Sequence, residues 1–382
     1  MVHFNYVKRC RLHIYIFAKI LFMRHFHPLR VAEVKKETSD CVSIKFDIPA
    51  ESAELFKYTQ GQYVTLRVDI DGEEVRRSYS ICSGVNDGEL RVAVKEVEGG
   101  KFSTYANHEL KAGDVIEAMP PMGNFFVKLD PSKKGSYTAF VAGSGITPVL
   151  SIIKTTLETE PESEFTLFYS NRNFGGIIFR EALEDLKDRY MNRLRVFHLL
   201  SRETSEVALF AGRIDEEKCT ALCNALLDVE NTNAFFICGP EPMIHSVKDS
   251  LHKSGVAKEK VLFELFTSPV VGALQQKVEK ASEARYSGQS AQVELILDGT
   301  SMTFDLPYDG KNVLDAALAL GADLPFACKG GVCCTCRAKL TEGEVHMAVN
   351  YSLEEEEVER GFILTCQSHP RSGKIVVDFD QQ

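Results

Sequence analysis

CKGGVCCTC, residues 328–336, places four cysteines within nine positions, and another cysteine follows at Cys366 in ILTCQSHP. Cys328 and Cys333 are separated by four residues, and Cys333 and Cys336 by two. This C-x4-C-x2-C…C spacing is typical of a plant-type [2Fe–2S] site, in which four thiolates hold two irons. The stretch therefore predicts an iron–sulfur centre whose ligands are these four cysteines.

The neighbours of these cysteines fit the same prediction. Gly330 and Gly331 allow the backbone to wrap closely and to direct N–H groups at sulfur. Cys334 is adjacent to a ligand, so its side chain is expected to point elsewhere. A zinc site or a disulfide is the alternative, but zinc sites usually combine paired C-x2-C units, and this stretch has one such pair.

Composition and charge limit the function classes. The chain has 382 residues, enough for about two to three domains, and its net charge is −10. Phosphate binding needs a basic face, so nucleic acid is not expected as a partner. No run approaches the ~18 apolar residues that cross a bilayer, so no membrane span is expected.

The first 22 residues are interpreted as an extension of uncertain status. They are basic with a short apolar segment, and no small-residue cleavage site follows, which disfavours a signal peptide; membrane association of this stretch is a further alternative. The chain has eleven cysteines, an odd number, which speaks against a disulfide framework. We therefore expect a cytoplasmic protein.

The C-terminal segment predicts strands around one helix. AQVELILDGTSMTFDLP alternates about Asp298-Gly299, a hairpin signal, and NVLDAALALG has helical spacing with Gly321 as its end. KIVVDFD supplies a late strand. This order resembles the β-grasp ferredoxin fold (α+β) over about residues 291–382.

The middle of the chain predicts a parallel sheet. In GSYTAFVAGSGITPVLSIIKTTLE a buried strand leads through Gly143-Ser144-Gly145 to a helix in which Pro148 suits the first position. Backbone amides at such a helix start form an anion site, although an ordinary strand–helix connection is the alternative. FTLFYSNR, LRVFHLLSRE and AFFICGPEPM add further strands, which favours an α/β domain with ligands at the strand carboxyl ends.

Residues 28–127 predict an antiparallel β-barrel of short alternating strands such as VSIKFDI, QYVTLRVDI and LRVAVKEV. In RRSYSICS, Arg77 and Tyr79 share one strand face, where they offer a cation for phosphate and an aromatic ring for stacking. GGKFSTYANHEL adds a second amide-rich cradle before a helix beginning near Ser103. Each segment taken alone has an alternative interpretation, in which its residues lie on an edge strand without a binding role.

These motifs together resemble a known family. R-x-Y-S, G-G-x-x-S, G-S-G-I-T-P and C-G-P-x-x-M occur in the order found in the ferredoxin–NADP reductase superfamily. With the C-terminal ferredoxin-like segment, the chain resembles one-chain oxygenase reductases, above all those that serve bacterial phenylacetyl-CoA epoxidases. The resemblance implies a multidomain fold: an antiparallel β-barrel flavin domain, an α/β parallel-sheet nucleotide domain and a β-grasp ferredoxin domain.

The resemblance also implies residue roles on the flavin side. Arg77 would contact the flavin pyrophosphate, Tyr79 would stack on the isoalloxazine, and Gly100 with Ser103 would hold FAD phosphate. Ser80 would lie near flavin N5. Plain alternation puts Ser80 on the opposite face from Tyr79, so the strand must end or bend there.

On the nucleotide side, the dinucleotide would be bound by Gly143, Gly145 and Thr147. Cys238 would lie near nicotinamide C4, with a packed thiol at a strand end as the alternative. Glu264 and Phe266 fall where the family places an acidic residue and an aromatic beside the flavin. Ser80, Cys238 and Glu264 are thus the candidate catalytic residues.

Cofactor choice is predicted from the strand end LLSRE of this domain. Ser201 and Arg202 are suited to a 2′-phosphate, and Arg172 is placed to assist, which favours NADPH over NADH. Solvated loop charge is the alternative for these side chains. FAD rather than FMN rests on the resemblance.

The implied function follows from electron counting. NADPH donates two electrons together as a hydride, whereas an iron–sulfur centre accepts one electron. A flavin accepts the pair and passes the electrons on one at a time. The expected activity is an NAD(P)H-dependent oxidoreductase that supplies an oxygenase, as in phenylacetate degradation. A free-standing oxidoreductase for another acceptor, such as a steroid hydroxylase or a hybrid-cluster protein, and a non-catalytic scaffold are the alternatives.

The expected domains are 23–135 for FAD, 136–268 for NAD(P)H and 291–382 for [2Fe–2S]. Residues 269–290 are polar and are interpreted as a linker. The run Glu354 to Glu357 is interpreted as a solvated helix face, with a docking patch as the alternative.

Overall fold

The structure, a computed structural model, describes residues 25–266 and 288–381. The predicted extension 1–22 lies outside the described residues, as does most of the predicted linker. The chain divides into two compact units, one containing residues 28–117 and 121–266 and the other residues 288–381. Among the described residues, no helix is long and apolar enough to cross a membrane.

The larger unit begins with an antiparallel barrel. Its strands are β1 (His27–Thr38), β2 (Cys41–Asp47), β3 (Tyr63–Ile70), β4 (Glu73–Ser80), β5 (Leu90–Lys95) and β6 (Val115–Ala118). They pair in the order β4-β3-β6-β1-β2-β5, and a bridge from Ile81 to Val92 joins the two edges. Val42, Ile44 and Phe46 are buried at alternate positions of β2, as a barrel wall with one apolar face requires.

Two features of this barrel lie outside the strands. Asp71 and Gly72 both have positive φ between β3 and β4, so an Asp-Gly turn of the type that matches strand twist joins them. Helix α1 (Lys101–His108) begins two residues before the predicted start at Ser103 and packs against β5.

The second half of this unit is a parallel sheet of β7 (Ser136–Ala142), β8 (Glu164–Asn171), β9 (Leu194–Leu200), β10 (Ala234–Cys238) and β11 (Val261–Glu264). Its helices are α2 (Ile146–Thr159), α3 (Arg180–Arg189), α4 (Glu216–Leu226) and α5 (Glu241–Lys253). The strand order is β11-β10-β7-β8-β9 and each neighbouring pair is parallel, which confirms the predicted α/β organisation.

The sheet is buried on both faces, which explains why its strands are nearly continuous apolar runs. Phe140, Phe168 and Phe197 stack across three neighbouring strands with ring centroids 5.0 and 5.4 Å apart. Phe165 and Phe236 lie in the core of the other face, with centroids 6.2 Å apart.

The start of α2 differs from its prediction. Pro148 was expected to be the first helical residue, and this is wrong, because α2 begins at Ile146. Proline is tolerated at Pro148 since its missing N–H would lack a helical partner there.

The smaller unit contains seven strands and two short helices among its described residues. The strands are β12 (Ser290–Leu297), β13 (Thr300–Pro307), β14 (Arg337–Glu342), β15 (Val345–Met347), β16 (Phe362–Leu364), β17 (Ser368–Pro370) and β18 (Lys374–Asp378), and the helices are α6 (Val313–Ala319) and α7 (Glu355–Glu359). The main sheet has the order β13-β12-β18-β14-β16, and β15 pairs with β17.

Local signals explain several elements of the smaller unit. The hairpin predicted at Asp298-Gly299 is confirmed: both residues have positive φ, and Asp380 accepts hydrogen bonds from both backbone N–H groups at 2.8 Å. Asn312 caps α6 by accepting from the Asp315 N–H at 2.8 Å, and Gly321 follows its end with positive φ, as predicted.

The two end residues of the glutamate run, Glu354 and Glu357, stabilise the start of a helix. Glu354 is the N-cap of α7 and forms a capping box with Glu357. Glu357 also pairs with Arg337. Glu355 and Glu356 are exposed, so the predicted solvated helix face applies to the middle of the run.

Candidate functional site

The four predicted ligands of the smaller unit lie together as two pairs of thiols. The Cys333 thiol donates to the Cys328 sulfur, with the two Sγ atoms 3.1 Å apart, and the Cys336 thiol interacts electrostatically with the Cys366 thiol. Cys333, Cys336 and Cys366 are buried, whereas Cys328 keeps some exposed surface. One pair comes from within the loop, and the other joins the loop to the chain that follows β16.

Backbone geometry directs N–H groups at the first pair. Lys329 and Gly331 both have positive φ, and the N–H of Gly330 donates to the Cys328 sulfur at 3.3 Å. A Cβ on Gly331 would lie 3.1 Å from the Val349 carbonyl oxygen, so the close turn favours glycine on two grounds. Hydrogen bonding, chiefly from Cys333, lowers the pKa of the Cys328 thiol to about 6, which favours the thiolate that a metal needs.

The donor set fits a two-iron centre better than a single ion. Cys328 lies beside Cys333, and Cys336 beside Cys366, so the four thiols form two pairs and not one group. Two thiols for each of two irons is instead the arrangement of a [2Fe–2S] cluster. Cys334 takes no part in either pair, because its thiol donates to the Ser352 carbonyl at 3.2 Å.

In the barrel, β4 presents two of the predicted flavin contacts. Arg77 and Tyr79 occupy alternate positions of the strand; Arg77 is exposed and Tyr79 is partly buried. The Tyr79 ring lies 5.2 Å from the Phe102 ring, and burial raises the pKa of its hydroxyl. The face therefore offers a packed aromatic ring and a long cationic side chain, which fit an isoalloxazine and a pyrophosphate.

The second cradle is formed by the turn before α1. The Ser103 hydroxyl accepts from the Val97 N–H and donates to the Gly100 carbonyl, both at 3.1 Å. A Cβ on Gly100 would lie 2.5 Å from Ser103 Oγ, so glycine is required for this closure. Ser103 thus shapes the turn with its hydroxyl, while the first N–H groups of α1, which lack helical partners, are the natural anion donors.

The barrel and the parallel sheet meet at three predicted residues. The Ser80 hydroxyl donates to Glu264 Oε2 at 3.1 Å, although the two residues are 184 positions apart. Glu264 is the last residue of β11 and stands beside Cys238, the last residue of β10. Strand β4 ends at Ser80, as the sequence required if Ser80 was to leave the alternating pattern.

The electrostatics of this group favour its protonated forms. The residue Glu264 keeps some exposed surface, but its carboxyl group is surrounded by protein, and this burial raises its pKa to about 8 against the opposing effect of the Ser80 hydrogen bond. Burial, and then the Glu264 carboxylate, raise the pKa of the Cys238 thiol far above its usual value. At neutral pH, Glu264 therefore holds a proton next to a hydroxyl that can relay it.

The predicted dinucleotide turn lies between β7 and α2. Gly143 has a φ of 56°, and a Cβ on Gly145 would lie 2.3 Å from the Cys238 carbonyl oxygen. The Thr147 hydroxyl donates to the Ser144 carbonyl at 3.0 Å, and Thr147 is buried. The turn thus brings the start of α2 against the end of β10, where backbone N–H groups can receive a pyrophosphate.

The residues predicted to choose the cofactor lie at the ends of β8 and β9. The Ser201 N–H donates to the Asn171 carbonyl at 2.9 Å, and the Arg202 N–H to the Arg172 carbonyl at 2.8 Å. The two arginines are exposed on adjacent strand ends. Because β9 lies three strand spacings from β10, roughly 14 Å, these residues and Cys238 are spaced along one sheet edge like the two ends of a dinucleotide.

Sequence reasoning missed two residues of these sites. The Tyr169 hydroxyl donates to the Gly143 carbonyl at 3.0 Å and so supports the glycine turn from β8. Gln367 is buried beside Cys366, and its amide nitrogen lies 3.4 Å from the Cys366 sulfur. Tyr169 sits in an apolar strand without any local signal, whereas the position of Gln367 next to a ligand was visible in the sequence.

Phe266, predicted to lie beside the flavin, follows β11 and is partly buried against the core of the larger unit. That core also contains Cys238. Its role stays a prediction.

Comparison with known families gives three successive matches along the chain. Residues 28–127 match the family described as oxidoreductase FAD-binding domain, and residues 140–249 match oxidoreductase NAD-binding domain. Residues 295–371 match 2Fe-2S iron-sulfur cluster binding domain. These matches establish FAD, a pyridine nucleotide and a [2Fe–2S] cluster as the cofactors.

Relatives share this order over nearly their full length. The chain is 44% identical to a component of the 1,2-phenylacetyl-CoA epoxidase of Escherichia coli (strain K12) over 94% of this chain and 99% of the relative. It is 33% identical to the ferredoxin reductase component of 3-ketosteroid-9-alpha-monooxygenase of Mycobacterium tuberculosis (strain CDC 1551 / Oshkosh) over 94% and 97%. The solved structure of phthalate dioxygenase reductase has the same fold, with a TM-score of 0.57, 24% identity and coverage of 92% and 98%. The chain thus belongs to the family of oxidoreductases that unite an FAD-binding, an NAD-binding and a 2Fe-2S cluster-binding domain in one polypeptide, a family that includes reductase components of oxygenase systems.

Proposed function

We propose that this protein takes a hydride from NADPH and delivers single electrons to an oxygenase that acts on phenylacetyl-CoA. The observation that supports the electron-transfer part of the proposal is the Ser80–Glu264 hydrogen bond, because it joins the barrel, which holds the proposed flavin residues, to the parallel sheet, which holds the proposed dinucleotide residues. When bound, FAD accepts two electrons together and gives them up singly, and a [2Fe–2S] cluster accepts one at a time.

The chain's own residues bind, orient and hold protons in this proposal. Arg77 and Tyr79 position the flavin, and Gly143, Gly145 and Thr147 position the dinucleotide. Ser80 and Glu264 hold a proton where the barrel contacts the parallel sheet, and buried Cys238 would lie beside the nicotinamide when it is bound. The thiolates of the cluster come from Cys328, Cys333, Cys336 and Cys366.

The preference for NADPH is supported by charge. Arg172 and Arg202 stand on adjacent strand ends beside Ser201, and arginine is well suited to a phosphate. Glu203 is the nearest acidic neighbour in sequence, and its carboxylate accepts from the Phe174 N–H at 3.0 Å, which directs it toward the loop backbone. A ribose diol would favour an acidic side chain, and a 2′-phosphate favours these guanidinium groups.

The acceptor is inferred from similarity. Identity to the phenylacetyl-CoA epoxidase component is 44%, against 33% to the steroid monooxygenase component at equal coverage of this chain. The proposal also includes domains at 23–135, 136–268 and 291–382, and a cytoplasmic location. The six described cysteines outside the proposed ligand set form no disulfide, as is usual in a reducing compartment.

Reconstitution tests this function. Purified protein, loaded with FAD and iron–sulfur, is mixed anaerobically with the oxygenase components of a phenylacetyl-CoA epoxidase, then supplied with NADPH, oxygen and phenylacetyl-CoA. We expect oxidation of the thioester coupled to NADPH consumption. A matched assay uses the oxygenase component of a steroid monooxygenase and its substrate.

Two results would contradict the proposal. Reduction of an artificial acceptor without thioester oxidation would assign the protein to another electron acceptor, and the steroid arm would then test one candidate. Absence of bound flavin and of acid-labile sulfide from the protein would remove the electron-transfer function itself.

A further inference from the structure

Gln367 occupies an unusual place for a polar side chain. It follows Cys366 directly, is 1% exposed, and its Nε2 lies 3.4 Å from the Cys366 sulfur. The same Nε2 donates to the Lys329 carbonyl at 3.1 Å. One amide group therefore touches both segments that carry the cluster ligands.

The orientation of this amide is fixed by its neighbours. A carbonyl oxygen and a ligand sulfur are both acceptors, so the nitrogen rather than the oxygen of the amide must face them. The opposite atom, Oε1, is buried and has no hydrogen-bond partner among the described residues. Burying an unpaired amide oxygen is unfavourable, and an apolar side chain would avoid it. The N–H group of the amide must therefore provide an interaction that an apolar side chain cannot.

The contact with Lys329 extends the influence of Gln367 to the other pair of thiols. Lys329 has a φ of 50°, a conformation that non-glycine residues seldom adopt. This conformation precedes Gly330, whose N–H donates to the Cys328 sulfur at 3.3 Å. By accepting from Gln367, the Lys329 carbonyl is held in the turn that aims this N–H at sulfur.

We propose that Gln367 is a positioning residue that raises the reduction potential of the [2Fe–2S] cluster, through its N–H···S contact with Cys366 and its hold on the Lys329 carbonyl. The reduced cluster carries one more negative charge than the oxidised cluster, and N–H donors at the ligand sulfurs stabilise that charge. The proposal rests on the four-cysteine ligand set of the proposed function.

The test measures the midpoint potential of the cluster in the intact, fully loaded protein. In Gln367→Met the side chain keeps its length and loses the donor. We expect the equilibrium constant for one-electron reduction to fall about tenfold, which corresponds to about 59 mV for a one-electron couple. In Gln367→Glu an oxygen replaces the donor, and we expect a larger shift in the same direction. Anaerobic titration followed by the EPR signal of the reduced cluster gives both values, and the flavin potential serves as an internal reference.

Thr365→Val is the matched control. Thr365 flanks Cys366 on its other side, is fully buried, and donates to the Cys336 carbonyl at 2.9 Å, which is not a sulfur contact. We expect its cluster potential to equal that of the unmodified protein. An equal shift in Thr365→Val and Gln367→Met would show that general disturbance near Cys366, and not the N–H···S contact, sets the potential, and would overturn the proposal.

Further outcomes separate this proposal from the proposed function. An unmodified protein without a cluster would contradict the ligand set itself. Full cluster occupancy with an unchanged potential in both Gln367 variants would overturn only the role of Gln367. If both variants fail to retain a cluster, pulsed EPR of the unmodified protein, labelled with ¹⁵N in its glutamine side chains, provides the test. We expect a coupling between an amide nitrogen and the reduced cluster. The absence of this coupling would overturn the proposal.

Discussion

At the scale of single residues, the contact between the barrel and the parallel sheet of the larger unit depends on one carboxyl group. Glu264 lies at the end of β11, receives a hydrogen bond from Ser80, and has a pKa raised to about 8 because burial disfavours its charge. The ordinary pKa of this group is 4.5. Since the folded state holds the proton more tightly than the unfolded state, Glu264 makes folding progressively less favourable as the pH rises from about 4.5 to about 8.

Glu264→Gln tests this linkage. Glutamine keeps the shape and cannot ionise, so we expect the free energy of unfolding of the variant, relative to the unmodified protein, to increase between about pH 5 and about pH 8.5. Chemical denaturation at several pH values measures the difference. Glu259→Gln, at an exposed position of the same unit, is the control. A difference between variant and unmodified protein that does not change with pH would contradict the raised pKa.

Gly145 is a second residue on which this region depends, because it lets the start of α2 pack against the end of β10. A methyl group there would lie 2.3 Å from the Cys238 carbonyl oxygen, a backbone atom that cannot rotate away. We expect Gly145→Ala to lower the free energy of unfolding by about 1–3 kcal/mol, as overpacking typically does, and to weaken NADPH binding by displacing the start of α2. Thermal unfolding and titration of NADP⁺ measure the two effects.

Gly143→Ala provides the comparison for that prediction. Gly143 has positive φ but no atom within 4 Å of an added Cβ, so its substitution costs backbone strain without a clash. We expect a smaller loss of stability, about 1 kcal/mol. Equal losses at both positions would mean that the contact with the Cys238 carbonyl does not dominate.

At the scale of elements, the carboxyl ends of parallel strands collect the nucleotide contacts. Strands β8 and β9 end in adjacent loops that are tied together by backbone hydrogen bonds from Ser201 and Arg202. Parallel strands end at one edge, so residues far apart in the chain become neighbours there. The cofactor preference is therefore a property of two loops acting together.

Arg202→Ala tests this preference. Loss of a guanidinium–phosphate contact should raise KM for NADPH about tenfold or more, because hydrogen bonds to charged groups contribute about 1.5–3 kcal/mol, and should change KM for NADH little. Steady-state reduction of an artificial acceptor with each nucleotide measures the ratio. Arg195→Ala, an exposed arginine near the opposite end of β9, is the control. Parallel loss with both nucleotides would remove Arg202 from the 2′-phosphate site.

At the scale of the whole molecule, the cofactor sites are divided between two compact units. The predicted flavin and nucleotide residues lie in the unit of residues 28–117 and 121–266, and the paired thiols lie in the unit of residues 288–381. Each unit has its own buried core. A defect in the thiol site should therefore leave the chemistry of the other unit intact.

Cys336→Ser tests this independence. Removing one thiol of the second pair should abolish the visible and EPR signals of the cluster. Stopped-flow reduction of the flavin by NADPH should keep its rate within about twofold, because the proposed flavin and nucleotide residues belong to the other unit, which has its own core. Cys334→Ala should keep the cluster signals, because its thiol bonds to the Ser352 carbonyl. Loss of flavin reduction in Cys336→Ser would contradict the modular account.

Much of this organisation was predictable from local patterns. The alternating strands, the Asp298-Gly299 hairpin, the glycine turn before α2 and the helix ended by Gly321 each depend on residues close together in the chain. The first residue of a helix was less predictable from local patterns. The first few N–H groups of a helix have no helical partner, so proline fits at any of these positions, and Pro148 is the third residue of α2.

The sequence by itself determined the three-part order of the chain, the strand and helix types, and the cysteine spacing that allows two pairs of thiols. Only the tertiary structure decided that Ser80 meets Glu264 across 184 positions, that Gly145 packs on the Cys238 carbonyl, and that one amide of Gln367 reaches both ligand segments. The physical reason is that turns, caps and periodic burial are set by neighbouring residues, whereas the proton affinity of a buried carboxyl and the donors around a sulfur depend on which distant segments the packed core brings together.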